Sequence, residues 1–315
     1  MSKQFGILTR AVCGLAFLLL VAAPGEAVAQ HTMEGEWTAS VSEKTEKSEK
    51  ADKLQLNLHR GTEKGGRSQM GSSYDFADFQ GLTRERALAG GPVRFSLARE
   101  AGTIDLEGSF QNGRGSGTFR FTSNPAFVSA MKGRGFDFEA ESKSSRRGPH
   151  DTDVTERLFA ATALNVTTAL ADDLLSADFG KLDVDDLFKA AIFKVDSKFM
   201  REMKASGFPG LGMEELVKAR IFKIDAEFVA EAARLGFTKE PFESLVKMRI
   251  FKVTPEFIAE ARGEGLTDLS VEDLVKLRIF KIDAEFIRRA RAEGAPLNVE
   301  ELVQRRIGVR RGTYQ

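Results

Sequence analysis

Phenylalanine recurs at a fixed step through the second half of this chain. Phe193, Phe222, Phe251 and Phe280 stand 29 residues apart, as do Phe199, Phe228, Phe257 and Phe286. Gly207, Gly236, Gly265 and Gly294 keep that step, and so do Leu187, Leu216, Leu245 and Leu274. A period of this length belongs to arrays in which each copy packs against its neighbours. One copy alone has too few apolar side chains to offset the entropy of ordering it, so neighbouring copies are required.

Each copy reads as two short helices. In the third full copy, Leu245, Val246, Met248 and Ile250 give the first helix an apolar face. Thr254 is then a good N-cap, Pro255 suits the first helical position, and Glu256 complements the positive helix end. Asp196, Asp225 and Asp283 hold the same capping place in other copies. Phe257, Ile258 and Ala261 form the second apolar face, and Gly265 ends the helix where a left-handed residue is wanted. A degenerate copy begins at Leu158, with Leu158, Leu164 and Leu170 in the Leu187, Phe193 and Phe199 places. A half copy from Glu301 has Gly308 where phenylalanine stood, and NPAFVSAMKGRGF from Asn124 matches TPEFIAEARGEGL from Thr254. Terminal copies are expected to drift, because one side faces no neighbour.

Upstream the period changes to two. LQLNLHR from Leu54, VRFSLAR from Val93, TIDLEGSF from Thr103 and GTFRF from Gly117 alternate apolar and polar residues, as in a sheet with one buried face. Asn112-Gly113 supplies the positive φ values of a tight hairpin. The expectation is a three-stranded antiparallel meander over 93–122, earlier strands near 35–41, 54–60 and 67–75, and a short helix near 82–89. The charged run Ser42–Lys53 reads as a loop, and Glu141–Asp153 as a polar linker.

At the N-terminus, Lys3 and Arg10 precede an apolar stretch from Ala11 to Ala23, and Ala27-Val28-Ala29 is a small-x-small site. This is the layout of a secretory signal peptide cleaved after Ala29. The expected organisation is a leader over 1–29, an antiparallel β domain over 30–123, a helix and linker over 124–157, and an α-solenoid over 158–315. The class is α+β. Cys13 is the only cysteine and lies in the leader, so the mature chain has no disulfide. Without Lys3, Arg10 and Glu26, the 46 basic and 46 acidic residues become 44 and 45, which lacks the basic excess of a nucleic-acid binder.

The most pointed charge pattern is basic. Lys218, Arg220 and Lys223 recur as Lys247, Arg249 and Lys252, then as Lys276, Arg278 and Lys281, forming a ridge. One reading neutralises this ridge with Glu227, Glu231, Glu256, Glu260 and Glu285 of the following helices, its arginines bonding helix-end carbonyls. The other makes these nine residues a binding surface for an acidic partner. Asp172-Asp173 and Asp183-x-Asp185-Asp186 lack the order of a calcium loop and read as helix-start acids. His31, His59 and His150 form no HExxH, the glycine-rich run from Gly113 lacks the lysine of a phosphate loop, and no GxSxG occurs. No catalytic residue, cofactor or metal is expected.

LVKARIFKIDAEFVAEAARLGF and LVKMRIFKVTPEFIAEARGEGL resemble a helical repeat of bacterial exported proteins and of the tails of membrane metallopeptidases related to beta-lactam sensors. The likeness covers about residues 158–307. Those peptidases use a HExxH helix that this chain lacks, so the resemblance implies architecture and not peptidase activity. Related secreted chains are similar upstream as well, through GEW, GRSQ, GPVRF and EAGT. The leading expectation is a periplasmic or secreted, non-enzymatic scaffold that binds another protein of the cell envelope, with no nucleic acid and no stable membrane insertion. Alternatives are a small-molecule or lipid carrier using the β domain, and an envelope sensor that regulates a membrane peptidase or signalling protein.

Overall fold

The computed structural model describes residues 30–42, 53–61, 67–140, 154–177 and 180–308. The leader, most of the charged run after Ser42 and the linker over 141–153 lie outside the described residues. The fold is α+β, an antiparallel sheet followed by a series of helices.

The strands are β1 (Thr32–Val41), β2 (Lys53–Gly61), β3 (Arg67–Asp75), β4 (Gly91–Arg99), β5 (Gly102–Gln111) and β6 (Arg114–Ser123). They form one sheet in the order β3-β2-β1-β6-β5-β4, every neighbour antiparallel. Alternation does what its period requires: Leu54, Leu56 and Leu58, then Phe95 and Leu97, then Ile104 and Leu106 are buried on one face. The opposite face carries polar pairs such as Gln55 with Ser73 at 2.7 Å and Arg94 with Glu107 at 2.9 Å. Asn112 and Gly113 have φ of 50° and 71°, as the β5–β6 hairpin needs.

Trp37 is the centre of the inner face. Its Nε1–H donates to the Glu107 carbonyl at 3.1 Å, and its ring meets the edge of Phe95 at 5.4 Å. Room for it comes from Gly108 and Gly117, which pair across β5 and β6. A Cβ on Gly117 would stand 2.0 Å from the Glu107 carbonyl oxygen.

Two small helices, α1 (Arg84–Ala89) and α2 (Pro125–Lys132), flank the last strands. The remaining helices are α3 (Val154–Leu164), α4 (Thr168–Leu175), α5 (Val184–Phe193), α6 (Ser197–Ala205), α7 (Met213–Phe222), α8 (Ala226–Arg234), α9 (Phe242–Ile250), α10 (Pro255–Gly263), α11 (Val271–Ile279), α12 (Ala284–Ala292) and α13 (Val299–Arg306). Helices α3, α5, α7, α9, α11 and α13 each pack on the next, and α2, α4 and α6 pack in series beside them. Thus α2, the outlying half copy, stands as the second helix of a copy placed before the degenerate one. Phe127 precedes Leu170 by 43 residues rather than 29, and the surplus falls at the polar segment 141–153.

Local chemistry sets the helix ends. Asp196, Asp225 and Asp283 accept from the backbone N–H three residues on at 2.8, 2.9 and 2.8 Å, and Thr254 does so at 3.3 Å. Gly207, Gly236, Gly265 and Gly294 follow the second helices with φ of 77–100°.

The degenerate copy has a different cause from the one expected. Its first helix, α3, does not lack a neighbour on its outer side but packs there on the inner face of the sheet. Phe159 stacks on Phe119 at 5.4 Å and meets Phe121 edge-on at 5.6 Å. The Tyr74 hydroxyl of β3 donates to the Ala163 carbonyl at 3.1 Å. Burial pushes the Tyr74 phenol up to about 12. Helix α3 buries residues almost all round, including Leu158, Phe159, Ala161, Thr162 and Ala163, so the repeat's usual polar positions are lost there.

Candidate functional site

The basic ridge separates into three layers with different surroundings. The first consists of Lys218, Lys247 and Lys276, joined by Lys189. Each pairs with a first-turn acid of the next helix in its row: Lys189 with Glu214 at 2.5 Å, Lys218 with Glu243 at 2.8 Å, Lys247 with Glu272, and Lys276 with Glu300. The carboxylates beside Lys218 and Lys276 hold those ammonium groups above their ordinary range. The partner acids are not the expected Glu227, Glu231, Glu256, Glu260 and Glu285. Stacking brings together helices one copy apart, so the nearest acid in space is about 25 residues away in sequence.

The second layer is the arginines. The guanidinium of Arg220 lies 3.8 Å over the Phe199 ring, Arg249 lies 3.7 Å over Phe228, and Arg278 lies 3.9 Å over Phe257. Arg249 also donates to the Lys223 carbonyl at 2.9 Å, and Arg278 to the Lys252 carbonyl at 3.0 Å. Helix-end bonding was legible in sequence, whereas the ring contact was not. The chain itself offers a control: Leu170 replaces phenylalanine in the first copy, and the residue facing it in register is Ala191 rather than arginine.

Lys223, Lys252 and Lys281 make the third layer, with Lys194. All four follow a first-row helix in the left-handed conformation, with φ of 54°, 53°, 51° and 57°. Their side chains are exposed, and no ion pair joins them to another described residue. Two positions before each stands an isoleucine: Ile192, Ile221, Ile250 and Ile279 are 48–52% exposed. This corrects the placing of Ile250 on the buried face, since the helix turns its last residue outward while Leu245, Val246 and Met248 stay inside. The result is a ladder of half-exposed isoleucines, each beside an open lysine, repeated once per copy.

In the first copy the same positions are Ala163 and Asn165, and there the sheet covers the face. Ala163 is buried, and Asn165 takes the left-handed conformation at φ 57°. Isoleucine and lysine occur at these positions in the four later copies, where the isoleucines are about half exposed.

Of the acidic clusters, Asp183, Asp185 and Asp186 stand at the start of α5 as expected, whereas Asp172 and Asp173 lie within α4, which has no acid in its first turn. Asp183 accepts from Asp186 N–H at 3.1 Å as an N-cap. Asp173 accepts from the backbone and hydroxyl of Ser197 at 2.8 and 2.7 Å, and these bonds lower its pKa. Asp172 receives Arg134 at 2.7 and 2.9 Å, and that contact lowers its pKa in turn. Among the described residues, no group of three or more His, Cys, Asp or Glu side chains is placed to hold a metal ion. His59 faces Thr38 at 3.2 Å on the sheet's polar face, His31 lies 3.4 Å from the Thr155 hydroxyl, and His150 is outside the described residues. No single described helix is long and apolar enough to cross a membrane.

A cavity of about 340 Å³ opens between the sheet and the first-row helices α3 and α5. Leu58 and Met70 wall it on the sheet side, and Phe159, Leu164, Phe188 and Ile192 on the helix side. Its lining includes Leu58 and Phe119 of the sheet's buried face. Arg60 and Glu156 form an ion pair at its edge. Comparison with known proteins finds no matching family model, no similar curated protein and no similar solved structure.

Proposed function

We propose that the chain is an exported, non-enzymatic scaffold whose first-row helices hold a partner protein of the cell envelope along the isoleucine–lysine ladder. The partner's face would be a narrow apolar strip flanked by acidic groups. One observation carries this reading: lysine, not glycine, occupies the left-handed position at four successive helix ends. Glycine fits that conformation without strain, and this chain uses it at the ends of the second-row helices. A side chain in the left-handed region costs about 1–2 kcal/mol per residue. The Lys223 and Lys252 carbonyls accept from arginine, but a glycine carbonyl would do the same. Neither backbone role accounts for the lysine, so its side chain is the part that is needed.

Breadth favours a protein over a bilayer surface. Glu214, Glu243 and Glu272 stand exposed at the opposite ends of the same helices, and a flat anionic membrane would meet them together with the lysines. A narrow partner avoids them. The test is photocrosslinking in cells from position 250 on the ladder and from position 260 on the second-row helix. The reading expects one envelope protein to be captured from 250, not from 260, and lost when Ile221, Ile250 and Ile279 become serine. Equal capture from both positions, or none from either, would sink it.

A further inference from the structure

The cavity lies where the first copies depart most from the register of the later ones. Ala160 stands in the place of Lys189, Lys218, Lys247 and Lys276, and Leu164 in the place of Phe193, Phe222, Phe251 and Phe280. The sheet accounts for Ala163 between them, which is buried and whose carbonyl accepts from Tyr74. It does not account for the other two, because Ala160 and Leu164 are only half-buried and line the cavity. Across from them on α5, Phe188 holds the place of Val217, Val246 and Val275. Those valines are buried, whereas the Phe188 ring is half-buried at the cavity wall. One side of the cavity is thus cut back by two short side chains, and the other gains an aromatic ring.

We propose that this cavity binds an uncharged aromatic small molecule of about two fused rings. Size is the first argument: about 340 Å³ is some twice the roughly 150 Å³ that holds benzene in an apolar cavity, and it falls at the lower end of small-molecule sites. The wall is the second. Phe119 and Phe188 offer rings for edge-on or offset contact, and the Met70 thioether and Leu58 fill in around them. Charge is the third. Arg60 pairs with Glu156, Arg157 donates to the Phe138 and Ala140 carbonyls, and Asp185 is engaged as well. An ionic ligand would therefore have to break one of these contacts or enter unpaired, and either carries the full desolvation penalty of a charge. Ile192 belongs to the cavity and to the ladder, but the site does not depend on a partner bound there.

The purified full chain would be titrated with naphthalene, 2-naphthoate and 1-decanol, followed by nuclear magnetic resonance shifts and calorimetry. The Leu164→Phe variant is the decisive control, because it writes into the first copy the residue that the later copies already fold with. The expected result is saturable binding of naphthalene, at least about tenfold tighter than that of 2-naphthoate and weakened at least about tenfold in Leu164→Phe. Should that variant not fold, Ala160→Met fills the same space from the other short position, and the same loss is expected. No binding of naphthalene, equal binding of 2-naphthoate, tighter binding of 1-decanol, or unchanged affinity in the filled variant overturns the proposal. Changing Ile221, Ile250 and Ile279 to serine should leave the affinity as it was. A loss there would put the probe on the ladder instead, and would overturn the proposal without touching the reading of the ladder.

Discussion

The first copy of the repeat and the four that follow share a backbone plan but differ in what lies against their outer ends. In the first, the sheet covers helix α3, and the ladder positions are Ala163 and Asn165. In the others they are isoleucine and lysine, and the isoleucines are about half exposed. The difference teaches that these positions answer to their surroundings and not to the helix they end. Where a neighbour is built in, the side chain shrinks to admit it. Where none is, the chain exposes an apolar residue and accepts a strained lysine, as a surface awaiting a partner would.

The largest effect expected at this boundary is from Phe159→Ala, which removes the ring that stacks on Phe119 and meets Phe121 edge-on. Loss of a buried phenylalanine costs about 3–5 kcal/mol, and chemical denaturation of this variant should uncouple the sheet from the helices. Next come the exchanged ladder residues. Ala163→Ile overpacks a covered site and should destabilise by about 1–3 kcal/mol, whereas Ile221→Ala at the matching open site should stay within about 0.5 kcal/mol. Equal costs for the two would erase the comparison.

Tyr74→Phe is smaller, removing one buried hydrogen bond to Ala163 worth about 0.5–1.5 kcal/mol. It also carries a signature in pH. The folded phenol titrates at about 12 against 10.0 for the ordinary value, so the folded state holds its proton longer. The contribution is complete below pH 10 and disappears as pH rises through about 12. Thermal melts should show the native protein losing stability over that window and Tyr74→Phe losing less.

Much of this architecture was legible in the chain. Alternation at Leu54, Leu56 and Leu58 named the buried face of β2, Asn112-Gly113 named a hairpin, and the match of Phe127 to Phe257 found α2 as part of the repeat. Ile250 was misplaced because residue type alone assigns isoleucine to a core, while only the final turn of α9 decides which way it points. The acids that pair with Lys218, Lys247 and Lys276 were sought on the next helix in sequence, but stacking makes the next helix of the same row their neighbour. The cavity was invisible because it depends on the sheet folding back over α3, across the polar segment 141–153. One signal for it was present nonetheless: Ala160, which lines the cavity, stands where the later copies have Lys189, Lys218, Lys247 and Lys276.

A partner held on the ladder requires that Lys223, Lys252 and Lys281 be kept for their side chains at some cost to stability. Replacing all three with glycine and measuring both the melting temperature and crosslinking from position 250 tests it directly. Relief of left-handed strain should raise the melting temperature, by up to about 1 kcal/mol of stability per site, while partner capture is lost. A lowered melting temperature with capture intact would show that the lysines serve the fold, and would contradict the account.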